Sequence, residues 1–424
     1  MSTLRRLPLA PQAPPAKRGL PLLGQSRSID KRTRPIYAVW EITLRCDLAC
    51  RHCGSRAGRA RHDELSTDEC LDLVHQMAAL GVMEVTVIGG EAYLRDDWTR
   101  IVREIRAQGM TATMTTGGRG FTPERATAAA GAGLQSVSVS IDGLEQAHDR
   151  LRGVKGSHQS AVAAIRALRS AGIQVSVNTQ INRVSLPDLP AVLELIIAEG
   201  AHSWQIQLTT PMGRAADEPE MLLQPYELLD LFPLLNQLKN RCDEAKVRLW
   251  PGNDIGYFGP YETNLRGKMP RGHMASCGAG RSTLGIEADG TIKGCPSLPT
   301  AAWAGGNIRD NTLEEIWERA PPLRYTRDRT VDDLWGYCRT CYYADTCKAG
   351  CTWMGFTIFG KAGNNPYCHH RALEMQKNGR RERIVLKTRA PGLPFDHGIF
   401  ELIEEPMDPR APVHPESPVQ GVSP

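Results

Sequence analysis

The stretch YAVWEITLRCDLACRHC, residues 37–53, decides how this chain is read. Its first half is a short β-rich run, and its second half places Cys46, Cys50 and Cys53 in a CxxxCxxC spacing on the loop leaving that run. Three thiolates on one tight loop can hold three corners of a cubane [4Fe-4S] cluster and leave one iron unclaimed by protein. A zinc knuckle is the other reading of the same residues, with His52 or His62 as a further ligand.

Outward from this loop, strand and helix patterns alternate. EVTVIGG (84–90), MTATMTT (110–116), SVSVSID (136–142), QVSVNTQI (174–181) and WQIQL (204–208) read as strands. Between them, Thr67 to Leu80, Trp98 to Gln108, Pro123 to Ala132, Ser160 to Ala171 and Leu189 to Glu199 read as helices. Ser66 and Glu69 stand in capping-box spacing, with Leu73, Met77 and Leu80 following on one face. Repeated βα units imply a parallel sheet, and six strands between Tyr37 and Leu208 fall short of a complete eight-stranded barrel. The expectation is α/β: a partial barrel or open sheet with its chemistry at the carboxyl ends of the strands.

Composition narrows the classes. With 41% apolar and 23% charged residues, the chain of 424 is globular rather than disordered. A net charge of +4 is too balanced to imply nucleic acid or a membrane surface as partner. No apolar run approaches the ~18 residues of a membrane span, and prolines interrupt LPLAPQAPPAKRGLPLL where a signal peptide needs an apolar core. A cytoplasmic location is expected, and in that reducing compartment clustered thiols read as metal ligands rather than disulfides.

Seven of the twelve cysteines lie beyond the Gly- and aromatic-rich break between Pro251 and Gly272. Cys277, Gly290 and Cys295 give C-x12-G-x4-C, Cys338, Cys341, Cys347 and Cys351 give C-x2-C-x5-C-x3-C, and Cys368 closes the set. Seven thiolates are one short of two cysteine-only [4Fe-4S] clusters, or enough for zinc with a partial site. Cys70 and Cys242 continue apolar helical faces and read as small core residues.

On these motifs, with Gly89-Gly90-Glu91 ending the second strand, SVSIDG at 138–143 and HDRLRG at 148–153, the sequence over roughly Ile36 to Trp250 resembles the radical S-adenosylmethionine (SAM) enzymes. The C-terminal cysteines resemble the SPASM extension of that family. The resemblance implies a partial (βα)6 TIM-like barrel at 35–250, a linker at 251–276 and a small cysteine-rich iron–sulfur domain at 277–380. Tails are expected at 1–34 and 381–424. It implies that Cys46, Cys50 and Cys53 ligate the catalytic cluster, that His52 lies near the adenine, and that Gly89, Gly90 and Glu91 meet the SAM amine. Ala92 replaces the usual proline of that turn. Ser140 would approach the SAM carboxylate or ribose, Arg152 would reach the carboxylate, and Asn178 would line the same site, with Asp142 shaping the turn. Cys338, Cys341, Cys347 and Cys368 would hold an outer auxiliary cluster. Cys277, Cys295 and Cys351 would hold an inner one, whose fourth position is an open iron or a ligand from elsewhere.

The activity implied is reductive cleavage of SAM to a 5'-deoxyadenosyl radical that abstracts hydrogen from a peptide, in peptide or peptide-derived cofactor maturation. A small molecule or tetrapyrrole side chain is the alternative substrate, and an iron–sulfur electron carrier or scaffold the alternative of another class. Pro296 follows Cys295 where the sulfatase-maturing subclass has an aspartate, which disfavours that subclass. Expected partners are the peptide and an electron donor such as flavodoxin or ferredoxin; the stretch before Tyr37 is too short for a fused precursor-binding domain, so a leader peptide would be met by a separate leader-peptide-binding protein or by the SPASM surface.

Overall fold

A computed structural model of the chain describes residues 22–267 and 276–407. The strands expected from sequence form β1 (Tyr37–Glu41), β2 (Glu84–Ile88), β3 (Thr111–Thr116), β4 (Ser136–Ser140), β5 (Gln174–Ile181) and β6 (Ser203–Leu208), paired in parallel in chain order. β7 (Arg248–Pro251) joins β6 in parallel. On the other side of β1 the sheet continues with β8 (Thr283–Ile286), parallel to β1, then β9 (Thr291–Lys293) and β10 (Ala304–Asn307), both antiparallel. The order β10-β9-β8-β1-β2-β3-β4-β5-β6-β7 is an open, partial barrel, as expected, widened by strands from the cysteine-rich region.

Alternation along the strands separates two faces. Val85, Val87, Ala112, Met114, Val137, Val139, Val175 and Val177 are buried against helical residues such as Leu73, Met77, Ile101, Ile105, Ile165 and Leu168. The opposite positions are polar, including Thr113, Thr115, Ser138, Ser176, Asn178, Gln180 and Gln207, and are only partly buried. Full barrels usually fill this space with branched apolar side chains; here these positions carry polar, partly exposed side chains.

The helices start where their caps are. Ser66 Oγ accepts from Glu69 N at 3.3 Å and Glu69 Oε2 accepts from Ser66 N at 2.8 Å, opening the helix Thr67–Leu80. Its buried stripe is Cys70, Leu73, Val74, Met77 and Leu80. Cys242 is likewise buried, in the helix Leu228–Glu244. No described helix is long and apolar enough to cross a membrane.

Both expected tails require correction within the described residues. The N-terminal stretch contains the helix Ser28–Arg32, whose Asp30 is fully buried and pairs with Arg27, Arg324 and Arg327 at 2.8, 2.9 and 3.1 Å. At the other end β11 (Arg380–Thr388) and β12 (Ile399–Pro406) form an antiparallel hairpin. Its tip is tied to the body: Asp396 Oδ1 accepts from Arg56 Nε at 2.7 Å and its carbonyl accepts from Gly213 N at 2.8 Å. Residues 1–21, 268–275 and 408–424 of the expected tails and linker lie outside the described residues.

Candidate functional site

The loop after β1 carries Cys46, Cys50 and Cys53 to the carboxyl end of the sheet. Its shape is held from several sides. Cys46 N donates to Gly58 O at 3.0 Å, and Arg214 donates through Nε to Cys50 O at 2.6 Å and through its terminal nitrogens to Ala57 O at 3.1 and 3.2 Å. Backbone amides of Leu48 and Ala57 point at the Cys46 and Cys53 sulfurs, each at 3.4 Å. Burial pushes the Cys46 thiol up to about 12, with Glu91, Cys50 and Cys53 adding to it; burial pushes Cys50 up to about 11, with Cys53 again adding. Thiols packed this way become thiolates when a metal supplies the missing positive charge. Among the described residues neither histidine of the zinc reading joins the cysteine sulfurs in a group close enough to share one ion, Asp47 and Glu91 being the side chains grouped with Cys46.

The turn after β2 packs directly on this loop. A Cβ at Gly89 would sit 2.5 Å from Thr43 O, and one at Gly90 would overlap Arg45 O and lie 2.5 Å from the Cys46 Cβ. Glu91 N donates to Arg45 O at 2.8 Å, which aims the Glu91 side chain inward. Its carboxylate accepts from Thr116 Oγ1 at 2.5 Å and Gly117 N at 2.6 Å. Ligand atoms of Cys46, Asp47 and Glu91 lie within 4.8 Å of one another. Burial pushes Glu91 up to about 7, and among the described residues no cation pairs with it. A buried carboxylate held only by neutral donors, beside the Cys46 sulfur, fits an ammonium group delivered by a ligand.

His52 and Arg152 converge on Asp142, for which the sequence suggests only a turn-shaping role. Asp142 is fully buried, receives Arg152 Nη2 at 2.6 Å and His52 Nε2 at 3.1 Å, and accepts Gln180 N at 2.9 Å. Burial opposes the Asp142 charge, but Arg152 and His52 outweigh it and hold the carboxyl far below its ordinary range. Arg152 also donates to Cys50 Sγ at 3.7 Å, so its fork reaches the cysteine loop as well as Asp142. Ser140 and Asn178 are register partners on β4 and β5, at the end of the sheet nearest this network. Arg214 and Thr116 were not singled out by sequence; no local motif marks them, because each acts on a segment distant in the chain.

The C-terminal cysteines separate into two groups. Cys338, Cys341, Cys347 and Cys368 line one cavity with Tyr257, Tyr343 and Arg371. Lys348, Ala349 and Gly350 all take left-handed backbone angles, φ 50°, 62° and 59°, to carry the chain from Cys347 back to Cys351. Such a run costs about 1–2 kcal/mol per non-glycine residue and persists where surrounding contacts enforce it. Cys277, Cys295 and Cys351 form the second group: burial raises Cys351 well above its ordinary value, followed by Cys277, Asp254 and Cys295. Burial pushes the nearby Asp254 carboxyl up to about 7, and its Oδ2 accepts Leu208 N at 2.6 Å. All twelve cysteines are free thiols.

The thiol-bearing loop at the carboxyl end of the sheet and the two cysteine groups beyond it have the donor chemistry of an iron–sulfur protein. Residues 40–197 match the Radical SAM superfamily, and residues 277–342 match the iron-sulfur cluster-binding domain SPASM. The chain is 30% identical over 348 residues to an AdoMet-dependent heme synthase of Methanosarcina barkeri, covering 80% of this chain and 97% of that protein. It is 30% identical over 341 residues to the mycofactocin maturase MftC of Mycolicibacterium smegmatis, covering 79% and 82%. Streptococcus suis SuiB bound to S-adenosylmethionine shares the fold at a TM-score of 0.61 and 16% identity, covering 79% and 76%. The chain belongs to the radical SAM superfamily and carries its SPASM extension. It is therefore a radical SAM/SPASM enzyme with [4Fe-4S] clusters and SAM as cofactors.

Proposed function

We propose that the chain is an oxidoreductase that abstracts hydrogen from a peptide, in maturation of a peptide or a peptide-derived cofactor. The observation carrying the site assignment is that Cys46, on one loop with Cys50 and Cys53, has its sulfur within 4.8 Å of the buried Glu91 carboxylate, which among the described residues has no cationic partner. In this reading Cys46, Cys50 and Cys53 hold the catalytic cluster. Gly89 and Gly90 let SAM approach the loop, and Glu91 receives its amine. Ser140, Asn178 and His52 line the remainder of the SAM site, while Arg152, fixed by Asp142, supports Cys50 from behind. Together the bound groups supply a 5'-deoxyadenosyl radical as the hydrogen-abstracting agent. Cys338, Cys341, Cys347 and Cys368 hold the outer auxiliary cluster, and Cys277, Cys295 and Cys351 the inner one. The polar, partly exposed face of the sheet suits a substrate rich in amides, which offers donors and acceptors along its length.

MftC is named a maturase, and one structure of SuiB was solved with its precursor peptide SuiA, which supports the peptide reading. A carboxylate-bearing tetrapyrrole is the second reading, favoured by the similar identity to heme synthases over nearly their whole length. The working partners are a reduced flavodoxin or ferredoxin, a separate leader-peptide-binding protein and a cytoplasmic setting.

Isotope transfer decides between substrates. Anaerobically reconstituted, dithionite-reduced enzyme is expected to form 5'-deoxyadenosine carrying deuterium from a labelled precursor peptide. Label arriving from a tetrapyrrole and never from the peptide would establish the second reading. Cys50→Ala is expected to abolish 5'-deoxyadenosine, whereas Cys341→Ala is expected to lose auxiliary iron and keep SAM cleavage. A Cys50→Ala protein that still cleaved SAM would overturn the assignment of the catalytic trio.

A further inference from the structure

Among the described residues, five lysines and arginines are buried as whole residues: Arg152, Lys293, Arg324, Arg329 and Arg371. Four have a carboxylate against them. Arg152 pairs with Asp142 at 2.6 Å, Lys293 with Glu287 at 2.6 Å, Arg324 with Asp30 at 2.9 Å and Arg371 with Glu382 at 2.6 Å. Arg329 is the exception. Only 2% exposed, it donates through Nη1 to Thr352 Oγ1 at 3.2 Å and through Nη2 to Ser276 Oγ at 3.5 Å, and its Nε has no partner. Among the described residues no carboxylate reaches it. A buried guanidinium held only by the neutral hydroxyls of Thr352, Ser276 and Tyr325 is costly, since the loss of hydration is not repaid by an opposite charge.

Its position supplies the reason. Ser276 precedes Cys277 and Thr352 follows Cys351, so the guanidinium bridges the chain neighbours of two inner cysteines. Its face lies 5.4 Å over the ring of Tyr325, which, like Cys295, packs against the cluster containing Cys277 and Trp303. Trp303 Nε1 is a second buried donor without an acceptor in the same cluster. Two unused donors, one of them cationic, beside three thiols describe a pocket built for an anion. A [4Fe-4S] core on thiolate ligands is negatively charged in both working oxidation states, and its net charge and hydrogen bonds set its potential.

We propose that Arg329 is the counter-cation of the inner auxiliary cluster and holds that cluster's potential upward by favouring the more negative, reduced state. The inference rests on the assignment of Cys277, Cys295 and Cys351 to that cluster. It makes Arg329 a positioning and tuning residue, acting through the charge of the site rather than on substrate. The inner cluster so biased is a better electron acceptor than the same three cysteines would provide alone.

The test uses the full chain, purified anaerobically with its iron, as Arg329→Met and Arg329→Lys. Iron per chain and an electron paramagnetic resonance redox titration of the auxiliary signals are the readouts. Arg329→Met is expected to shift the inner-cluster equilibrium at least tenfold toward oxidation, about 59 mV more negative for one electron, or to lose the inner iron with the outer signal intact. Arg329→Lys is expected to restore both. An unchanged inner potential and iron content in Arg329→Met would overturn the proposal, as would a lysine variant impaired as badly as methionine, which would assign shape rather than charge. Should Arg329→Met not accumulate as folded protein, the lysine variant decides alone: parental iron and potential support the proposal, and a shifted potential overturns it. Absence of an inner-cluster signal in the unaltered enzyme would instead remove the assignment of the three cysteines, a distinct result.

Discussion

Gly90 has no room for a side chain, because a Cβ there would run into the Arg45 carbonyl and the Cys46 methylene. Even alanine must push the cysteine loop aside, so Gly90→Ala is expected to retain auxiliary iron while losing the catalytic cluster. Iron analysis together with the SAM-dependent change in the cluster's spectrum checks this. Glu91 tests the ligand side of the same contact. A hydrogen bond to a charged group is worth about 1.5–3 kcal/mol. Glu91→Gln is therefore expected to raise the Kd for SAM roughly 10- to 150-fold, measured by equilibrium binding to the oxidised, cluster-loaded enzyme. Unchanged affinity would mean that the carboxylate serves only to accept from Thr116 and Gly117. The cysteines themselves are legible from spacing, since ligand geometry forces short fixed intervals. Arg214, Asp142 and Arg329 are not, because their meaning lies in contacts with segments far along the chain.

The helix Ser28–Arg32 owes its place to one carboxylate. Burial opposes the charge on Asp30, but Arg27, Arg327 and Arg324 outweigh it and hold the carboxyl down to about 2. A depressed folded-state value means the stabilisation is present above the ordinary carboxylate range near pH 4 and is lost as pH falls through about 2. Asp30→Asn is expected to remove that acid-side dependence and to cost about 3–5 kcal/mol at neutral pH by leaving buried arginines unpaired. Denaturant unfolding at several pH values measures both. Strands β2 to β6 are readable in the sequence because each alternates over five or more residues and is followed by a capped or amphipathic helix. β7 and β8 are four residues each, too short for a period-two signal, and are fixed by neighbours already in the sheet. The hairpin β11–β12 escapes for a different reason: its strands are crowded with arginine and glutamate that pair across it, such as Arg380 with Glu404 and Arg383 with Glu405, and a charged segment near a terminus reads as solvated.

Across the whole molecule, apolar packing is unevenly shared. One continuous core joins the sheet to its helices, whereas the cysteine-rich part around residues 331–349 has only a small cluster of Leu334, Ala344 and Ala349 at its heart. With its cysteines ligating iron as proposed, that ligation supplies cohesion that apolar area does not. Removing iron with a chelator under oxidising conditions is expected to deprotect backbone amides in this part while β2 to β6 keep their protection, a contrast that hydrogen exchange with mass spectrometry resolves. Equal loss across both parts would refute that uneven dependence. The same architecture limits how the chain can be dismembered. Because β8 supplies the other neighbour of β1, a fragment ending near residue 267 would strip β1 of that neighbour and leave Tyr37 to Trp40 as a ragged, hydrogen-bond-hungry flank. Such a fragment would stick to its own kind, so the catalytic half of this enzyme is not a severable module.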